Sequence, residues 1–191
     1  MIPRARFNRS PVPLIALSSL LVMLICPSLS APETSVQDNK IKAVFIYRFI
    51  RYIQWPSFAA SKTFDIAVLG DSDMVAPLRE IAKLKSVDGK RIRIKQFAEP
   101  QNLDTCHILF VSASMASRLE EIPPRIKGKN ILTISDKEGL ANRGISINFI
   151  VLGEQLKFQI NRRALERAGL KVSSQLIKLA ILVEEEEEPH R

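Results

Sequence analysis

Cys106 and His107 are adjacent residues whose side chains could pair a thiolate with an imidazole or bind a metal ion. They precede the apolar run Ile108–Val111, which is typical of a buried strand. Neighbouring residues of a strand point to opposite faces, so the two side chains do not converge. The only other histidine is His190, and no cluster has the spacing of zinc ligands. We therefore expect no catalytic residue, no metal site and no cofactor, and we predict that the protein is not an enzyme.

Polar residues that follow apolar runs could form a second kind of site, for a small polar ligand. If the runs are neighbouring parallel strands, these residues line the carboxyl edge of the sheet, where α/β folds bind ligands in the crossover crevice. The alternative is that each residue caps the helix that follows it. The candidate residues of this crevice are Asp71, Ser112, Ser114, Ser135 and Asp136.

The elements that would position these residues are buried strands. Phe64–Leu69, Ile108–Val111 and residues 131–134 are apolar runs that each end in glycine, serine or aspartate and are followed by a helical pattern. A buried parallel strand that leads into a capped helix has this pattern. The chain is therefore predicted to be an α/β protein.

The C-terminal part of the sequence changes to alternation of apolar and polar residues. Residues 145–151 and 155–160 alternate on either side of Gly153-Glu154, which predicts a β-hairpin. The predicted fold is a single compact α/β domain with a mixed, largely parallel sheet, this hairpin and flanking helices. Helices are expected from residue 40 to 53, from 72 or 73 to 83, over 115–122 with closure by Pro123-Pro124, and over 161–168 and 173–182, with an edge strand over 91–95.

The first predicted helix carries aromatic side chains with polar tips and two arginines. Tyr47, Tyr52 and Trp55 recur at helical spacing, and Arg48 and Arg51 interrupt an otherwise apolar helix. Such aromatic residues are favoured at protein interfaces, so this group is a candidate surface for a protein partner. Helical spacing of aromatics is also typical of core packing, and that alternative stays open.

The N-terminus has the order of a secretory signal peptide. Three arginines precede an apolar stretch over residues 12–25, which is followed by small residues suited to cleavage near Ser30. Residues 1–30 are therefore predicted to be removed on export, the alternative being an uncleaved anchor. Cys26 would suggest a lipoprotein, but Ile25 before it is larger than that processing tolerates. Cys106 is then the only cysteine of the mature chain, so no internal disulfide forms, and we expect its thiol to be buried rather than paired with another chain.

The number and placement of charged residues argue against a nucleic-acid partner. Removal of the leader with Arg4, Arg6 and Arg9 leaves 25 basic residues against 20 acidic ones, a net charge of +5. The basic segments lack interleaved aromatic residues, so we expect no nucleic-acid binding. The run of glutamates that begins at Glu184 predicts an acidic, disordered tail over 184–191, and residues 31–39 are expected to be flexible.

Five ordered segments resemble one family of proteins. Residues 42–49 (KAVFIYRF), together with Trp55-Pro56, look like the opening helix of the YfiR family. The other four segments are 66–71 (IAVLGD), 106–112 (CHILFVS), 144–149 (GISINF), and 158–161 (FQIN) continuing through Ala164 to 169–174 (GLKVSS). Together they span nearly all of residues 40–183, the domain that we assign to this resemblance.

The resemblance implies a periplasmic repressor that binds the periplasmic sensor region of an inner-membrane diguanylate cyclase, lowering cyclic di-GMP and biofilm formation. It also implies a compact α/β fold and a homodimer. Because the signal peptide is predicted to be removed, we expect no direct membrane insertion after its cleavage. Two residues depart from the family. Ala67 stands where members commonly have a cysteine paired with the equivalent of Cys106, and Gln159 stands where members tend to have glutamate.

The full set of partner-binding candidates and the alternative function follow from these points. Gln159 joins the aromatic helix group because a contact that relies on the family's glutamate would be altered here. The alternative function is a periplasmic small-molecule sensor whose ligand occupies the strand-end crevice. The partner-binding candidates are Tyr47, Arg48, Arg51, Tyr52, Trp55 and Gln159.

Overall fold

A computed structural model describes residues 33–56, 60–103 and 105–184. The predicted signal peptide and the acidic tail beyond Glu184 lie outside these ranges. The strands are β1 (Ile53–Gln54), β2 (Phe64–Leu69), β3 (Ser86–Val87), β4 (Lys90–Phe97), β5 (Ile108–Val111), β6 (Leu132–Ser135), β7 (Ile147–Leu152), β8 (Gln155–Asn161), β9 (Lys171–Val172) and β10 (Ile181–Val183). The α-helices are α1 (Glu33–Phe49), α2 (Val75–Leu84), α3 (Pro123–Ile126), α4 (Arg162–Arg167) and α5 (Ser174–Leu179).

The main sheet has the order β10-β8-β7-β6-β5-β2-β4-β3. The five strands from β7 to β4 are parallel, whereas β8 runs antiparallel to β7. This arrangement confirms the predicted mixed, largely parallel sheet. The strand predicted over 91–95 lies in β4, whose outer side pairs with β3 only at Lys90 and Arg91. Its alternating basic residues therefore lie at the edge of the sheet, where charge opposes edge-to-edge aggregation.

Apolar side chains cover both faces of the sheet. On one face, α1 packs Phe45 and Phe49 against Phe149 and Phe158 of the hairpin, with ring centroids 5.0 to 6.3 Å apart. The opposite face packs against a 3₁₀ helix, Ala113–Glu121, and Cys106 is buried in that cluster. Burial of Cys106 confirms its predicted role as an apolar packing residue. Strands β2 and β5 are buried on both faces, which explains their unbroken apolar sequence.

Turn and cap predictions in the C-terminal part are confirmed. Gly153 has φ of 61° at the first position of the two-residue hairpin loop, as a type II′ turn requires. The side chain of Asn161 accepts a hydrogen bond from the backbone N–H of Ala164 and so caps α4. Gly169 follows that helix with φ of 66°.

The boundaries of the first helix differ from the prediction at both ends. Helix α1 begins at Glu33, inside the segment 31–39 for which flexibility is predicted. It ends at Phe49, and a 3₁₀ turn leads into β1 at Ile53. Strand β1 pairs antiparallel with β9, so Ile53–Gln54 obtains its backbone hydrogen bonds from a distant segment rather than from a last helical turn.

Two further predictions of helix boundaries are wrong. Pro123 and Pro124 begin α3 instead of closing the preceding helix, because the fixed φ of proline suits the first turn of a helix as well as its end. The last helix stops at Leu179, and Ile181–Val183 forms β10 beside β8. This pairing places an apolar C-terminal segment at the edge of the sheet. The spacing of its apolar residues does not predict that strand.

Candidate functional site

The crossover point, where the sequence predicts a ligand, is filled. The chain continues from β2 to β4 on one side and from β5 to β6 on the other side, so the crossover point falls between the neighbouring strands β2 and β5. There Gly70 packs against Ser112 and Ser114, whose hydroxyl oxygens are 2.7 Å apart. A Cβ atom on Gly70 would overlap both of these oxygens. Backbone and hydroxyls occupy this space, and Asp71 is exposed beside it.

The other two crevice residues have separate structural partners. The Ser135 hydroxyl donates to the Val111 carbonyl at 2.7 Å and accepts a bond from the backbone N–H of Lys137. Asp136 forms a salt bridge of 2.7 Å with Lys42, which joins α1 to the end of β6. The five predicted residues therefore do not converge on one crevice. Ser112 precedes its helix without a side-chain capping bond, so the capping alternative does not explain it either.

The aromatic group of the first helix belongs mainly to the core. Trp55 is only 8% exposed, packs edge-on against Phe64, and donates from its indole N–H to the carbonyl of His107 at 3.1 Å. Its prediction as a surface contact is therefore wrong for this fold, because its ring and its polar tip are both used internally. Tyr47 and Tyr52 are half-buried, and the Tyr47 hydroxyl donates to the Ser86 carbonyl.

Arg48 and Arg51 are the members of that group with exposed side chains. Arg51 and Tyr52 line a small cavity of about 140 Å³ together with Lys171 and Ser173, beside the β1–β9 pair. The aromatic helix group is thus divided between core contacts and an exposed basic side. It does not form a continuous aromatic surface.

His107 is held by a network that stabilises the fold. Its ring stacks on Phe64 with a centroid distance of 4.6 Å, and its Nδ1 accepts a bond from the backbone N–H of Asp65. Burial lowers the pKa of His107, although the charge of Asp65 acts in the opposite direction. In the neutral ring Nε2 then carries the proton and donates to the Ser61 hydroxyl at 3.2 Å. These contacts use both ring nitrogens within the fold.

A groove between α1 and the hairpin brings together residues from two different predictions. Gln159, a partner-binding candidate, and Asp136, a crevice candidate, both line it, as does Lys42, which forms the salt bridge with Asp136 described above. The groove has a volume of about 360 Å³. Its remaining lining residues are Glu138, Phe149, Ile150, Val151, Leu152 and Leu156.

Buried polar atoms of the hairpin lack hydrogen-bond partners. Asn148 is fully buried, and neither its amide nitrogen nor its oxygen has a partner; the Gln159 side-chain oxygen is in the same condition. Asn148 lies directly opposite Gln159 across the β7–β8 pair and beside Ser135 of β6. A buried amide without partners costs about 1 to 3 kcal/mol. At this end of the sheet, the fold therefore leaves hydrogen-bonding groups of Asn148 and Gln159 unused.

Large apolar side chains are exposed around the same hairpin. Val151 is 63% exposed and Leu152 is 52% exposed at its tip, and Ile181 and Leu182 of β10 are exposed along the neighbouring edge. Ile181 lies next to Gln159 in the strand register. We call this region the hairpin surface, defined by Lys42, Asp136, Val151, Leu152, Gln159, Ile181 and Leu182.

Sequence reasoning identifies Gln159 as a partner-binding candidate and Asp136 as a crevice candidate, but not the rest of the hairpin surface. Asn148 has a usable signal, since it is a polar residue between Ile147 and Phe149 in a strand that the fold buries on both faces at that point. In the sequence, Val151 and Leu152 show only the end of an alternating strand. Their exposure depends on how far β7 extends beyond β6, which pairs with it only at Ile147 and Asn148.

Membrane-spanning helices and metal clusters are both absent from the described part of the chain. Within residues 33–56, 60–103 and 105–184, no helix has the length and apolar character needed to cross a bilayer. The same residues contain no cluster of three or more histidine, cysteine, aspartate or glutamate side chains arranged to hold a metal ion.

Comparisons with known proteins give a family match and distant structural similarity. A family model described as YfiR/HmsC-like matches residues 39–181. No curated protein matches the sequence. A conserved domain protein from Vibrio cholerae O1 biovar El Tor has a similar fold, with a TM-score of 0.51 and 11% identity over 75% of this chain and 59% of that one.

A second solved structure is an ABC domain in complex with L-Trp from Streptococcus pneumoniae. It has a TM-score of 0.47 and 9% identity over 63% of this chain and 55% of that one. The chain thus spans little more than half the length of each of these two structures. At these identities the likeness to the Vibrio cholerae protein concerns the fold alone.

Proposed function

The chain belongs to the YfiR/HmsC-like family, which supports a role as a periplasmic regulator of a diguanylate cyclase, and from that premise we propose that it binds and represses the cyclase's periplasmic sensor region. The observation that carries the proposal is the hairpin surface, where exposed apolar side chains surround buried polar atoms that have no partners. We propose that the signal peptide directs the protein to the periplasm and that it performs no chemical reaction.

The hairpin surface has the composition of a protein interface. Interface centres combine desolvated apolar side chains with a few polar groups that fix orientation. Val151 and Leu152 supply the apolar part, and the half-buried Gln159 side chain is the polar group beside them. The groove beside them gives room for one inserted side chain of that partner.

Repression requires a difference in affinity. A regulator changes the cyclase's equilibrium only if it binds the inactive arrangement of the sensor region more tightly than the active one. A tenfold preference shifts the equilibrium by about 1.4 kcal/mol, and a hundredfold preference by about twice that. We propose that burial of the hairpin tip against one arrangement of the sensor region supplies this difference.

Substitution of the hairpin tip tests the proposal. We expect the double variant Val151→Ser with Leu152→Ser to fold normally but to lose capture of the cyclase's periplasmic region in a pull-down assay. Cyclic di-GMP in a deletion strain should then remain high when this variant is supplied, and fall when the wild-type gene is supplied. Leu84→Ser is the matched control, because Leu84 is 76% exposed but lies at the end of α2, outside the hairpin surface.

The result that would refute the repressor role is a deletion strain whose cyclic di-GMP is the same as that of the parent. If deletion raises cyclic di-GMP but the tip variant still represses, the role stands and the assigned surface is wrong.

We also propose that the protein is a homodimer, as the family resemblance implies. Sedimentation equilibrium of the purified protein measures this directly.

A further inference from the structure

A cavity of about 670 Å³ lies on the face of the sheet that α1 does not cover, away from the hairpin surface. It is bounded by α3, by the C-terminal part of α4 and by the starts of β6 and β7. This volume is within the range of pockets that bind small organic molecules. The lining residues are Pro123, Pro124, Ile126, Lys127, Ile131, Thr133, Arg143, Gly144, Ser146, Ala164, Arg167 and Ala168.

The walls of this cavity are apolar and small. Ile126 and Ile131 contribute branched aliphatic side chains, and the prolines that begin α3 contribute their rings. Helix α4 and the residue after it present Ala164 and Ala168, whose short side chains leave the space between this helix and α3 unfilled. The apolar part of a ligand fits such walls, because its burial removes hydrocarbon surface of both the ligand and the cavity from water.

The charged lining residues are all basic. Lys127, Arg143 and Arg167 have exposed side chains, and the described lining contains no aspartate or glutamate. Arg143 is fixed in place because it donates to the carbonyl of Ala116 and to the carboxylate of Glu120. Two hydrogen bonds leave other donors of its guanidinium for a second acceptor. Although Glu120 pairs with Arg143, the side chains that line the cavity carry only positive charge, which favours an anion.

The buried hydroxyls of the cavity have one hydrogen more than their contacts use. Thr133 Oγ1 accepts from the backbone N–H of Ser146 at 2.9 Å, and the two hydroxyl oxygens are 3.0 Å apart. One hydroxyl donates to the other, so the second hydroxyl keeps a hydrogen to donate. Both residues line the cavity and both are buried, so a molecule in the cavity, either water or a ligand, can accept this hydrogen.

We propose that this cavity binds a hydrophobic monocarboxylate, a molecule with an aliphatic body and one carboxylate group. The aliphatic part contacts the α3 and α4 walls, the carboxylate is balanced by Lys127, Arg143 and Arg167, and one of its oxygens accepts the spare hydroxyl hydrogen. This site is separate from the hairpin surface and does not rest on the repressor proposal. It gives the protein a small-molecule site near the starts of β6 and β7 rather than at the carboxyl edge of the sheet.

Calorimetric titration of the purified protein with sodium octanoate tests the proposal, with octanol as the uncharged probe of equal length. We expect octanoate to bind more tightly than octanol. Lys127→Gln should weaken octanoate by about two- to fivefold, as expected for loss of one partly exposed charge contact. Lys129→Gln is the matched control, since this exposed lysine lies in the same turn but does not line the cavity.

Filling the cavity is the stronger test. Ala168→Phe should abolish octanoate binding, and Ala164→Leu provides a second filled variant if the first does not fold. The hairpin-tip variant should bind octanoate as the wild type does. The proposal is overturned if millimolar octanoate gives no binding heat, if a folded filled variant binds with unchanged affinity, or if the tip variant loses binding.

Discussion

Asn148 and Asn161 lie in the two strands of the same hairpin and are equally buried, but only one of them is satisfied. The Asn161 side chain donates to the carbonyl of Ala141 at 2.7 Å and accepts from the backbone N–H of Ala164 at 2.9 Å. Both polar atoms of Asn148 lack partners. A satisfied buried amide stabilises the fold, whereas an unsatisfied one destabilises it. Burial alone therefore does not tell whether the fold uses a polar side chain, whereas its hydrogen-bond partners do.

The same difference separates the centre of the sheet from its hairpin end. At the centre, Gly70, Ser112 and Ser114 fill the crossover point, and nearby Asp65 and His107 have partners for their polar atoms. At the hairpin end, apolar side chains are exposed and amide groups are unused. We infer that stability is concentrated at the centre and binding at the hairpin. Substitutions in the two regions test this division, from the largest expected effect on stability to the smallest.

Gly70→Ala should cause the largest loss. The new Cβ would lie within 3 Å of both serine hydroxyls, and the residue has φ of 87°. Positive φ costs an alanine about 1 to 2 kcal/mol, and overpacking adds about 1 to 3 kcal/mol. Gly89→Ala is the control, since Gly89 has φ of 76° but its added Cβ would meet no atom within 4 Å. Urea denaturation of both variants should give a difference of about 2 kcal/mol.

Equal losses for the two glycine variants would contradict the filled crossover. In that case the space beside Gly70 could accept a methyl group, and a ligand crevice there would again be tenable. A loss confined to Gly70→Ala would show that packing, and not backbone conformation, sets the cost.

Asn161→Val should destabilise the protein by about 2 to 3 kcal/mol. The substitution leaves a buried carbonyl and a buried N–H without partners and removes the cap of α4. Thermal and urea unfolding measure the loss. A loss below about 0.5 kcal/mol, the level of an ordinary surface substitution, would show that water satisfies these groups and would remove the contrast with Asn148.

Acid should destabilise the centre of the sheet through Asp65. Burial would raise the pKa of this carboxyl, but hydrogen bonds from Arg93, Thr63 and Lys95 outweigh it and lower the pKa to about 2 from its ordinary value of 3.8. Because the folded pKa is the lower one, this stabilisation is present above about pH 4 and is lost as the pH falls toward about 2. The ionised carboxylate of Asp65 thus contributes about 2 kcal/mol to the free energy of unfolding above about pH 4.

The measurement is the free energy of unfolding between about pH 5 and pH 2, in the wild type and in Asp65→Asn. We expect the wild type to lose stability more steeply than the variant in this window. Parallel profiles would mean that Asp65 has no special stabilising role, and the centre would then depend on packing alone.

The sequence predicts those parts of the fold that have a local signature. Strands β2 and β5 are buried on both faces and so form unbroken apolar runs, and the hairpin alternates around its glycine turn. Strands β1, β9 and β10 have two or three residues each and form through pairing with distant segments. Such short strands have no period of their own, so a local pattern cannot reveal them.

The candidate functional residues show the same limit. The family resemblance points to Gln159, whereas helical spacing misplaces Trp55 because it does not tell which face is covered. The five crevice candidates do not converge, and the Gly70-Asp71 sequence does not show that Ser112 and Ser114, which follow β5, pack closely against Gly70. The unsatisfied state of Asn148 depends on its neighbours in β6 and β8, which only the folded chain defines.

Asn148→Val should have the smallest effect on stability and the more informative effect on function. The substitution removes two buried polar atoms that have no partners, so we expect the free energy of unfolding to be unchanged or to rise by about 1 kcal/mol. Urea denaturation measures this against Asn161→Val, which removes the same side chain from an equally buried position.

The binding assay for the cyclase's sensor region then completes the comparison. If Asn148 is kept for recognition, Asn148→Val should weaken capture of the sensor region although the protein is at least as stable as the wild type. Loss of stability equal to that of Asn161→Val would instead show that Asn148 is satisfied in solution, and the hairpin end would lose its distinction from the centre. A stable variant with normal capture would restrict recognition to the exposed tip, because the unused amide would then serve neither folding nor binding.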